Sequence, residues 1–210
     1  DNAYCVHHLT DTHDVILNML EECRKVGHED RALMFCSLSK VTFPGAGVAA
    51  MAASRRNIDY ILKNMFPMII SFDKLNQVRH IRFLKDMDGL AAHMEKHRAL
   101  LEPKFRAVLA ILDEGLSGCG SIARRTKPNG GYFLSLYTLG GCAKRTVQLC
   151  REAGVVLTDA GAAYPYGVDP QDSNIRIAPT FPPLDELETA SRLLCVCVRI
   201  ATLEKLLQRQ

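Results

Sequence analysis

Lys40 is the residue of this sequence with the clearest potential for covalent chemistry. It follows an apolar run at 32–36 that is typical of a short buried strand, and Ser37 and Ser39 closely precede it. A Pro-Gly turn at 44–47 ends the segment. An unpaired ammonium at the end of a core strand is costly and tends to lose its proton. The segment therefore indicates either a neutral amine that could form a Schiff base with an aldehyde, or a lysine whose charged end reaches solvent from an ordinary loop.

Three short segments resemble the motifs of one enzyme family. Ser-x-Ser-Lys at 37–40, with the Pro-Gly turn after it, is similar to the pyridoxal-phosphate lysine motif of fold-type I aminotransferases. Asp-Asn-Ala-Tyr at 1–4 resembles the Asp-x-x-Tyr that precedes the lysine in that family, and Asn-Ile-Arg-Ile-Ala at 174–178 resembles its arginine-bearing strand. The segments come in the family's order, and the variant Thr-Phe-Pro-Gly-Ala-Gly at 42–47 is closest to the bacterial branch of aspartate aminotransferases and MocR-like proteins.

The resemblance implies a role for each residue around the cofactor, pyridoxal 5'-phosphate. Lys40 would hold the cofactor and move the proton during the reaction, and Asp1 would pair with the protonated ring nitrogen. Tyr4 would donate a hydrogen bond to the phenolic oxygen, and Ser37 and Ser39 would donate to the phosphate. Without the resemblance, Asp1 is equally a frayed terminus and Tyr4 a half-buried aromatic residue at a strand end.

Arg176 is the residue that the resemblance assigns to the substrate. An arginine between two isoleucines in an apolar strand must find an anion, and its planar guanidinium suits a carboxylate bidentately. The resemblance implies that this anion is the α-carboxylate of an amino acid. The alternative is a structural salt bridge with one of the acidic residues at 169–172. The sequence Gly-Gly-Tyr-Phe at 130–133 also fits a family strand near the substrate pocket.

One position departs from the family's pattern. Most members place an arginine just after the Pro-Gly turn to bind the phosphate, where this sequence has Gly47. The phosphate charge must then be met elsewhere, and Arg55 and Arg56 are the candidates.

Composition narrows the class of protein. At 210 residues, 48% apolar and 23% charged, with a net charge of +3, the chain is typical of globular proteins and gives no sign of a nucleic-acid or membrane surface. No apolar run approaches the roughly 20 residues of a membrane span, and no signal peptide opens the chain. The eight cysteines form no Cys-x-x-Cys pair and no metal-binding spacing with histidine. They indicate buried free thiols in a reducing compartment, hence a cytoplasmic protein without a metal.

The fold class expected is α/β combined with α+β. Residues 1–86 would be the C-terminal part of a large cofactor-binding α/β domain with a parallel-rich sheet, and 87–210 a small α+β domain. A polar helix at 73–85 would present either a solvated face or a surface toward a partner subunit's active site. Helices are predicted over 12–27, 57–70, 73–85, 88–116, 143–153 and 184–207, and strands over 32–36, 47–53, 119–124, 131–138, 155–157 and 174–178.

The resulting hypothesis is an amino-acid aminotransferase that acts as a homodimer. It would transfer an amino group from an amino acid, with aspartate as the first candidate, to a 2-oxo acid such as 2-oxoglutarate. The absence of an initiator Met suggests a C-terminal fragment that is inactive alone. One alternative function is an aminotransferase-like ligand-sensing domain of a transcriptional regulator, and another is a structural piece without cofactor.

Overall fold

The structure is a computed structural model that describes residues 3–118 and 120–208. The chain divides into two compact units, residues 1–97 and residues 98–210. Asp1, a predicted cofactor-binding residue, lies outside the described residues. The helices are α1 (Met19–Lys25), α2 (Arg55–Met65), α3 (Lys74–Leu84), α4 (Met87–Leu116), α5 (Ala143–Glu152) and α6 (Leu184–Leu207), and the strands are β1 (Leu33–Ser37), β2 (Ala49–Ala53), β3 (Ala123–Arg125), β4 (Leu134–Thr138) and β5 (Asn174–Ile177).

The first unit is built around an antiparallel pair of strands. In β1 and β2, Leu33 lies opposite Ala53 and Ser37 lies opposite Ala49. The sequence predicts a parallel-rich arrangement here, and that prediction is wrong for these two strands. The reason is the connection: residues 38–48 contain no helix, whereas a parallel pair needs a crossover of a dozen or more residues.

Capping residues set where the helices of the first unit begin. The Asn18 side chain accepts hydrogen bonds from the backbone N–H groups of Leu20 and Glu21, so α1 starts at Met19 and not near residue 12 as predicted. The apolar residue Val15 is 90% exposed in the non-helical segment before it. Ser54 caps α2 and Asp73 caps α3 in the same way. Side-chain caps therefore decide the boundaries that apolar periodicity left uncertain.

The second unit holds a three-stranded antiparallel sheet in the order β3-β4-β5. Leu134 pairs with Ile177 and Leu136 with Ile175, and all four side chains are buried. Strand alternation places Ser135, Tyr137 and Arg176 on the opposite face. One face of the sheet is therefore part of the core, and the other carries polar and aromatic groups.

The helices of the second unit complete this core. Val108 and Leu112 of α4 and Leu194 and Val198 of α6 are buried, as the apolar stripes predict. Leu203, predicted in the same stripe of α6, is exposed. The predicted strand at 155–157 is an irregular segment in the structure. Within the described part of the chain, no helix is both long and apolar enough to span a membrane.

Candidate functional site

The turn that carries Lys40 is a compact structure at the end of β1. The carbonyl of Leu38 accepts hydrogen bonds from the N–H groups of Val41, at 2.9 Å, and Thr42, at 2.8 Å. Val41 is buried beneath the turn, whereas the Lys40 side chain is exposed. Of the two alternatives that the sequence leaves open, the described residues match the exposed lysine, and they leave the amine accessible to a ligand.

Ser37 and Ser39 form a hydroxyl pair beside Lys40. Their Oγ atoms lie 2.9 Å apart, and the N–H of Ser39 donates to Ser37 Oγ at 3.1 Å. Both residues are half-buried. The structure therefore places two hydroxyl groups and one primary amine within four consecutive residues, as the sequence motif predicts.

The backbone of Gly47 packs closely against Ser39. A Cβ atom added at Gly47 would lie 2.8 Å from Ser39 Oγ and 2.9 Å from Ser39 N, closer than real Cβ contacts allow. The backbone at this point has no room for any side chain unless Ser39 moves. This packing explains why the sequence has glycine where the family's pattern has arginine.

Arg55 and Arg56, the candidates for binding the phosphate in place of an arginine at position 47, lie away from the Lys40 turn. They follow β2 at the end of the hairpin where Leu33 and Ala53 pair, about 13 Å of strand away from the end that leads into Lys40. Arg55 pairs with Asp59 at 3.0 Å, and Arg56 pairs with Asp30, in the short 3-10 helix before β1, at 3.3 Å. In the described structure these arginines thus have carboxylate partners of their own, and their role toward a phosphate stays a prediction.

Tyr4 lies in a turn, not at the end of a strand as predicted, yet it is close to the Lys40 turn. Its ring meets the ring of His7 edge-on, with the ring centres 5.5 Å apart. Nε2 of His7 in turn donates a hydrogen bond to the carbonyl oxygen of Lys40 at 2.9 Å. The structure thus brings Tyr4 and Lys40 together through one intervening side chain.

Arg176 occupies the middle of β5, directly opposite Ser135 of β4. Its guanidinium carbon lies 4.8 Å from the centre of the Phe133 ring, a cation–π distance. Among the described residues Arg176 makes no ion pair, and its buried Nε atom has no hydrogen-bond partner. A buried donor without a partner is costly, so this guanidinium is suited to receive an anion from outside the described chain.

The salt-bridge alternative for Arg176 fails because the nearby acidic residues have other partners. The buried Asp169 carboxylate accepts hydrogen bonds from the N–H groups of Gln171, Ser173 and Asn174. Asp172 accepts from the N–H of Lys144 at the start of α5. The two carboxylates hold the 169–174 loop and a helix terminus in place.

Hydrogen bonds within this loop lower the pKa of the Asp169 carboxyl group. Burial acts to raise the pKa of its carboxyl group, but the hydrogen bonds from Ser173, Asn174 and Gln171 together outweigh that effect, and the pKa lies below its ordinary value. The loop leads directly into β5. Asp169 therefore fixes the backbone that positions Arg176.

Hydrogen bonds from a lysine also fix the segment that follows β5. The ammonium of Lys104, on α4, donates to the carbonyl oxygens of Thr180 at 2.9 Å and Pro182 at 2.7 Å. Three carbonyl partners of one ammonium tie the chain after Arg176 to a helix of the same unit. Both ends of the β5 strand are thus anchored.

These groups fit pyridoxal phosphate in chemical kind. An aldehyde needs a primary amine, a phosphate needs hydroxyl and N–H donors, and a substrate carboxylate needs a fork of N–H groups. Lys40, the two serines and Arg176 supply these donors, the first three in the first unit and the last in the second. No cluster of three metal-ligating side chains occurs in the described ranges 3–118 and 120–208.

Sequence reasoning missed the histidines around the Lys40 turn. His80, on the polar helix α3, is buried and its Nε2 lies 2.7 Å from the Thr42 hydroxyl. On α4, His93 and His97 are four residues apart and therefore share a face. That i, i+4 spacing was the one signal available in the sequence.

Comparison with known proteins assigns the family. A family model described as aspartate amino-transferase matches residues 1–210. The chain is 47% identical over 207 residues to a protein of Mycolicibacterium smegmatis that is provisionally named an aminotransferase, covering 99% of this chain and 48% of the relative. It is 41% identical over 204 residues to an aspartate aminotransferase of Corynebacterium glutamicum, covering 97% of this chain and 47% of the relative. The chain thus spans about half the length of these curated relatives.

Solved structures agree with this assignment. A crystal structure of an aspartate transaminase from Corynebacterium glutamicum superposes with a TM-score of 0.94 at 41% identity, over 97% of this chain and 48% of the other. An α-aminoadipate aminotransferase of Thermus thermophilus, complexed with N-(5'-phosphopyridoxyl)-L-leucine, superposes with a TM-score of 0.74 at 20% identity, over 95% of this chain and 49% of the other. That second likeness shows the fold alone, which is the α/β arrangement of fold-type I aminotransferases. The chain belongs to the aspartate amino-transferase family.

Proposed function

We propose that the protein is a pyridoxal-phosphate-dependent aminotransferase whose cofactor lysine is Lys40. The observation that carries the proposal is the match of the family model over the whole chain, together with an accessible amine beside a pair of hydroxyls. Relatives named as aminotransferases give no support to the alternative of a ligand-sensing domain in a transcriptional regulator.

The cofactor, when bound, supplies a ring that accepts negative charge from the substrate α-carbon. The Lys40 amine holds the cofactor aldehyde and afterwards carries a proton to and from the α-carbon. Ser37 and Ser39 donate to the phosphate, Tyr4 donates to the phenolic oxygen, and Asp1 pairs with the ring nitrogen. Each of these roles matches the kind of group that the residue offers.

Arg176 is the proposed binding group for the substrate α-carboxylate. Two observations support this role. The buried Nε of Arg176 has no hydrogen-bond partner among the described residues, and the Asp169 carboxylate accepts its hydrogen bonds from backbone N–H groups instead. A guanidinium held against Phe133 keeps its fork of N–H groups in one orientation, so an amino acid binds with its α-carbon in a defined position.

Aspartate and 2-oxoglutarate are the proposed substrates, because an aspartate aminotransferase is among the relatives at 41% identity. The proposal includes a homodimer in the cytoplasm, without nucleic acid or membrane as partner. It also includes inactivity of these 210 residues on their own, because they span about half of the length of these relatives.

The experiment is an amino-transfer assay with the purified whole protein. We expect glutamate to form from 2-oxoglutarate when aspartate is added, and the rate to depend on added pyridoxal phosphate after dialysis. A panel of other amino donors identifies the preferred substrate. An absence of transfer from every donor, with cofactor bound, would contradict the proposed function.

A further inference from the structure

Three histidines contact three consecutive residues of the turn that carries Lys40. They come from three separate parts of the first unit: His7 from the N-terminal segment, His93 from α4 and His80 from α3. Carbonyl groups in a tight turn have no partner in a strand or helix, so other groups must satisfy them. Here two imidazole rings bind the carbonyls of Lys40 and Val41, and a third contacts the hydroxyl of Thr42.

His7 holds the residue that bears the amine. Its Nε2 lies 2.9 Å from the carbonyl oxygen of Lys40, which can only accept, so Nε2 carries a proton and donates it. The ring is buried, and Tyr4 and His97 pack edge-on against it. Burial lowers the pKa of His7 despite the opposing hydrogen bonds to Lys40 and Tyr4, which favours a neutral ring.

His93 holds the next residue of the turn. Its Nε2 lies 2.8 Å from the carbonyl oxygen of Val41 and 3.2 Å from Nε2 of His97. The Val41 carbonyl also receives a hydrogen bond from His97, so the two rings share this acceptor. Burial and the proximity of His93 and His7 lower the pKa of His97 despite that hydrogen bond.

His80 holds the third residue. Its Nδ1 donates to the carbonyl oxygen of Asn76 at 2.8 Å, and its Nε2 lies 2.7 Å from the oxygen of the Thr42 hydroxyl, which also donates to the carbonyl of Leu38 at 3.1 Å. One turn earlier on the same helix, the Asn76 amide donates to the Gly47 carbonyl at 3.3 Å. The polar face of α3 therefore binds the Lys40 loop at two points. At Asn76 and His80 the face is therefore covered by this loop, whereas Arg79 and Arg82 of the same helix are exposed.

We propose that His7, His80 and His93 are positioning residues that fix the Lys40 turn, and with it the amine. The inference deepens the proposed function, since it takes Lys40 to be the reactive lysine. Imidazole rings suit the task because they bind the turn without placing a carboxylate next to the Lys40 ammonium. A carboxylate there would form an ion pair with the amine and hold it away from the cofactor.

Hydrogen exchange of the whole protein, read by mass spectrometry on a peptide covering 38–47, tests the inference. His7→Leu and His93→Leu remove the ring donors, whereas His7→Gln and His93→Gln keep an N–H at about the reach of Nε2. Thr42→Val removes the partner of His80, and with it the hydrogen bond from the Thr42 hydroxyl to the Leu38 carbonyl, without changing the shape of the side chain. The matched control is His28→Leu, because the His28 side chain is exposed. A peptide covering β4 serves as the reference for general unfolding.

We expect the leucine and valine variants to speed exchange at the N–H groups of Val41 and Thr42 by about fivefold, the usual effect of one lost hydrogen bond. The glutamine variants should lie closer to the native protein, and the β4 peptide and the His28 control should not change. The fraction of Lys40 that takes a pyridoxyl group from limiting pyridoxal phosphate and borohydride should fall in the same order.

Unchanged exchange in the turn, equal acceleration in the β4 peptide, or glutamine variants no better than leucine would each overturn the positioning role. If one leucine variant does not fold, the variants at the other two positions decide the question. A native protein that takes no pyridoxyl label on Lys40 refutes the proposed function. The exchange rates would still show whether the histidines fix the turn.

Discussion

The guanidinium carbon of Arg176 lies 4.8 Å above the ring of Phe133, on the face of the sheet opposite the core. The aromatic ring supports the cation from one side and offers it no hydrogen-bond acceptor. The buried Nε of the same residue has no partner among the described residues. This combination of a fixed orientation and unused donors is what a carboxylate-binding arginine requires.

Replacing Arg176 separates a carboxylate-binding role from a structural one. Arg176→Lys keeps the charge and loses the fork, so kcat/KM for amino acids should fall at least about tenfold, and further for Arg176→Ala. Simple alkylamines, which have no carboxylate, should react with the enzyme nearly as before. Arg124→Lys is the matched control, because Arg124 also stands over a ring, that of Tyr137 at 4.0 Å, and lies on β3 at the opposite edge of the same sheet. Equal losses for amines and amino acids, with a lower melting temperature, would contradict the carboxylate-binding role.

Substitution of two glycines of the Lys40 loop by alanine should affect cofactor binding and stability differently. Gly47→Ala places a Cβ against Ser39 and must displace the hydroxyl pair, so the Kd for pyridoxal phosphate should rise at least about fivefold. Gly45 has a φ of +79° with nothing within 4 Å, so Gly45→Ala should cost about 1–2 kcal/mol of stability through backbone strain alone. Its cofactor Kd should stay within about twofold of the native value. Equal effects of both variants on cofactor affinity, measured by titration calorimetry, would show that Ser39 does not bind the phosphate.

Much of the fold could be predicted from the sequence because its long helices carry periodic apolar residues. The bounds predicted for α3, α4 and α6 lie within about one residue of those observed, since caps and apolar stripes are local signals. The first helix was placed six or seven residues too early, because Val15 and Ile16 fit a helical stripe although they precede the Asn18 cap.

The contacts between residues of the site could not be predicted from the sequence in the same way. Three of its hydrogen bonds join residues 33, 38 and 52 positions apart, and no local pattern encodes such pairs. The position of Gly47 was noticed as a departure from a motif, but its cause is the close approach of Ser39, which only coordinates reveal. The residue types of the site were therefore predictable, and the supports around them were not.

Asp169 gives the loop before Arg176 a dependence on pH. Its folded-state pKa is lowered, so its carboxylate stabilises the protein above the ordinary pKa of about 3.9, and this contribution is lost as the pH falls through the folded value. Asp169→Asn should lower the free energy of unfolding by about 1–3 kcal/mol near neutral pH, through lost charge-assisted hydrogen bonds.

Denaturant titrations of native protein and variant between pH 7 and pH 3 check this prediction. The difference in unfolding free energy should shrink toward the acid end, because the Asp169 carboxyl group of the unfolded chain takes up its proton at a higher pH than that of the folded protein. Asp159→Asn is the control, since that carboxylate is 82% exposed and should have little effect at any pH. A difference that stays constant or grows on acidification would contradict the role given to Asp169.

The 210 residues on their own should associate and fail to turn over substrate. An apolar groove of about 820 Å³ runs between the β1–β2 hairpin and α2, and its lining includes Phe35, Met51, Leu62 and Phe72. Exposed apolar surface of this extent favours association in water. Light scattering after size-exclusion chromatography should show oligomers or aggregates, whereas the whole protein should give one defined species. A monodisperse monomer with measurable amino transfer would refute the expectation.

Lys40 remains the centre of the account, and one measurement tests it most directly. The whole protein, loaded with pyridoxal phosphate, is reduced with borohydride and digested, and the peptides are sequenced by mass spectrometry. We predict a pyridoxyl group on Lys40 and none on Lys25 or Lys63, the other lysines of the first unit nearest in sequence. A label on another lysine, or a cofactor-loaded protein that carries no label, would contradict the assignment of Lys40.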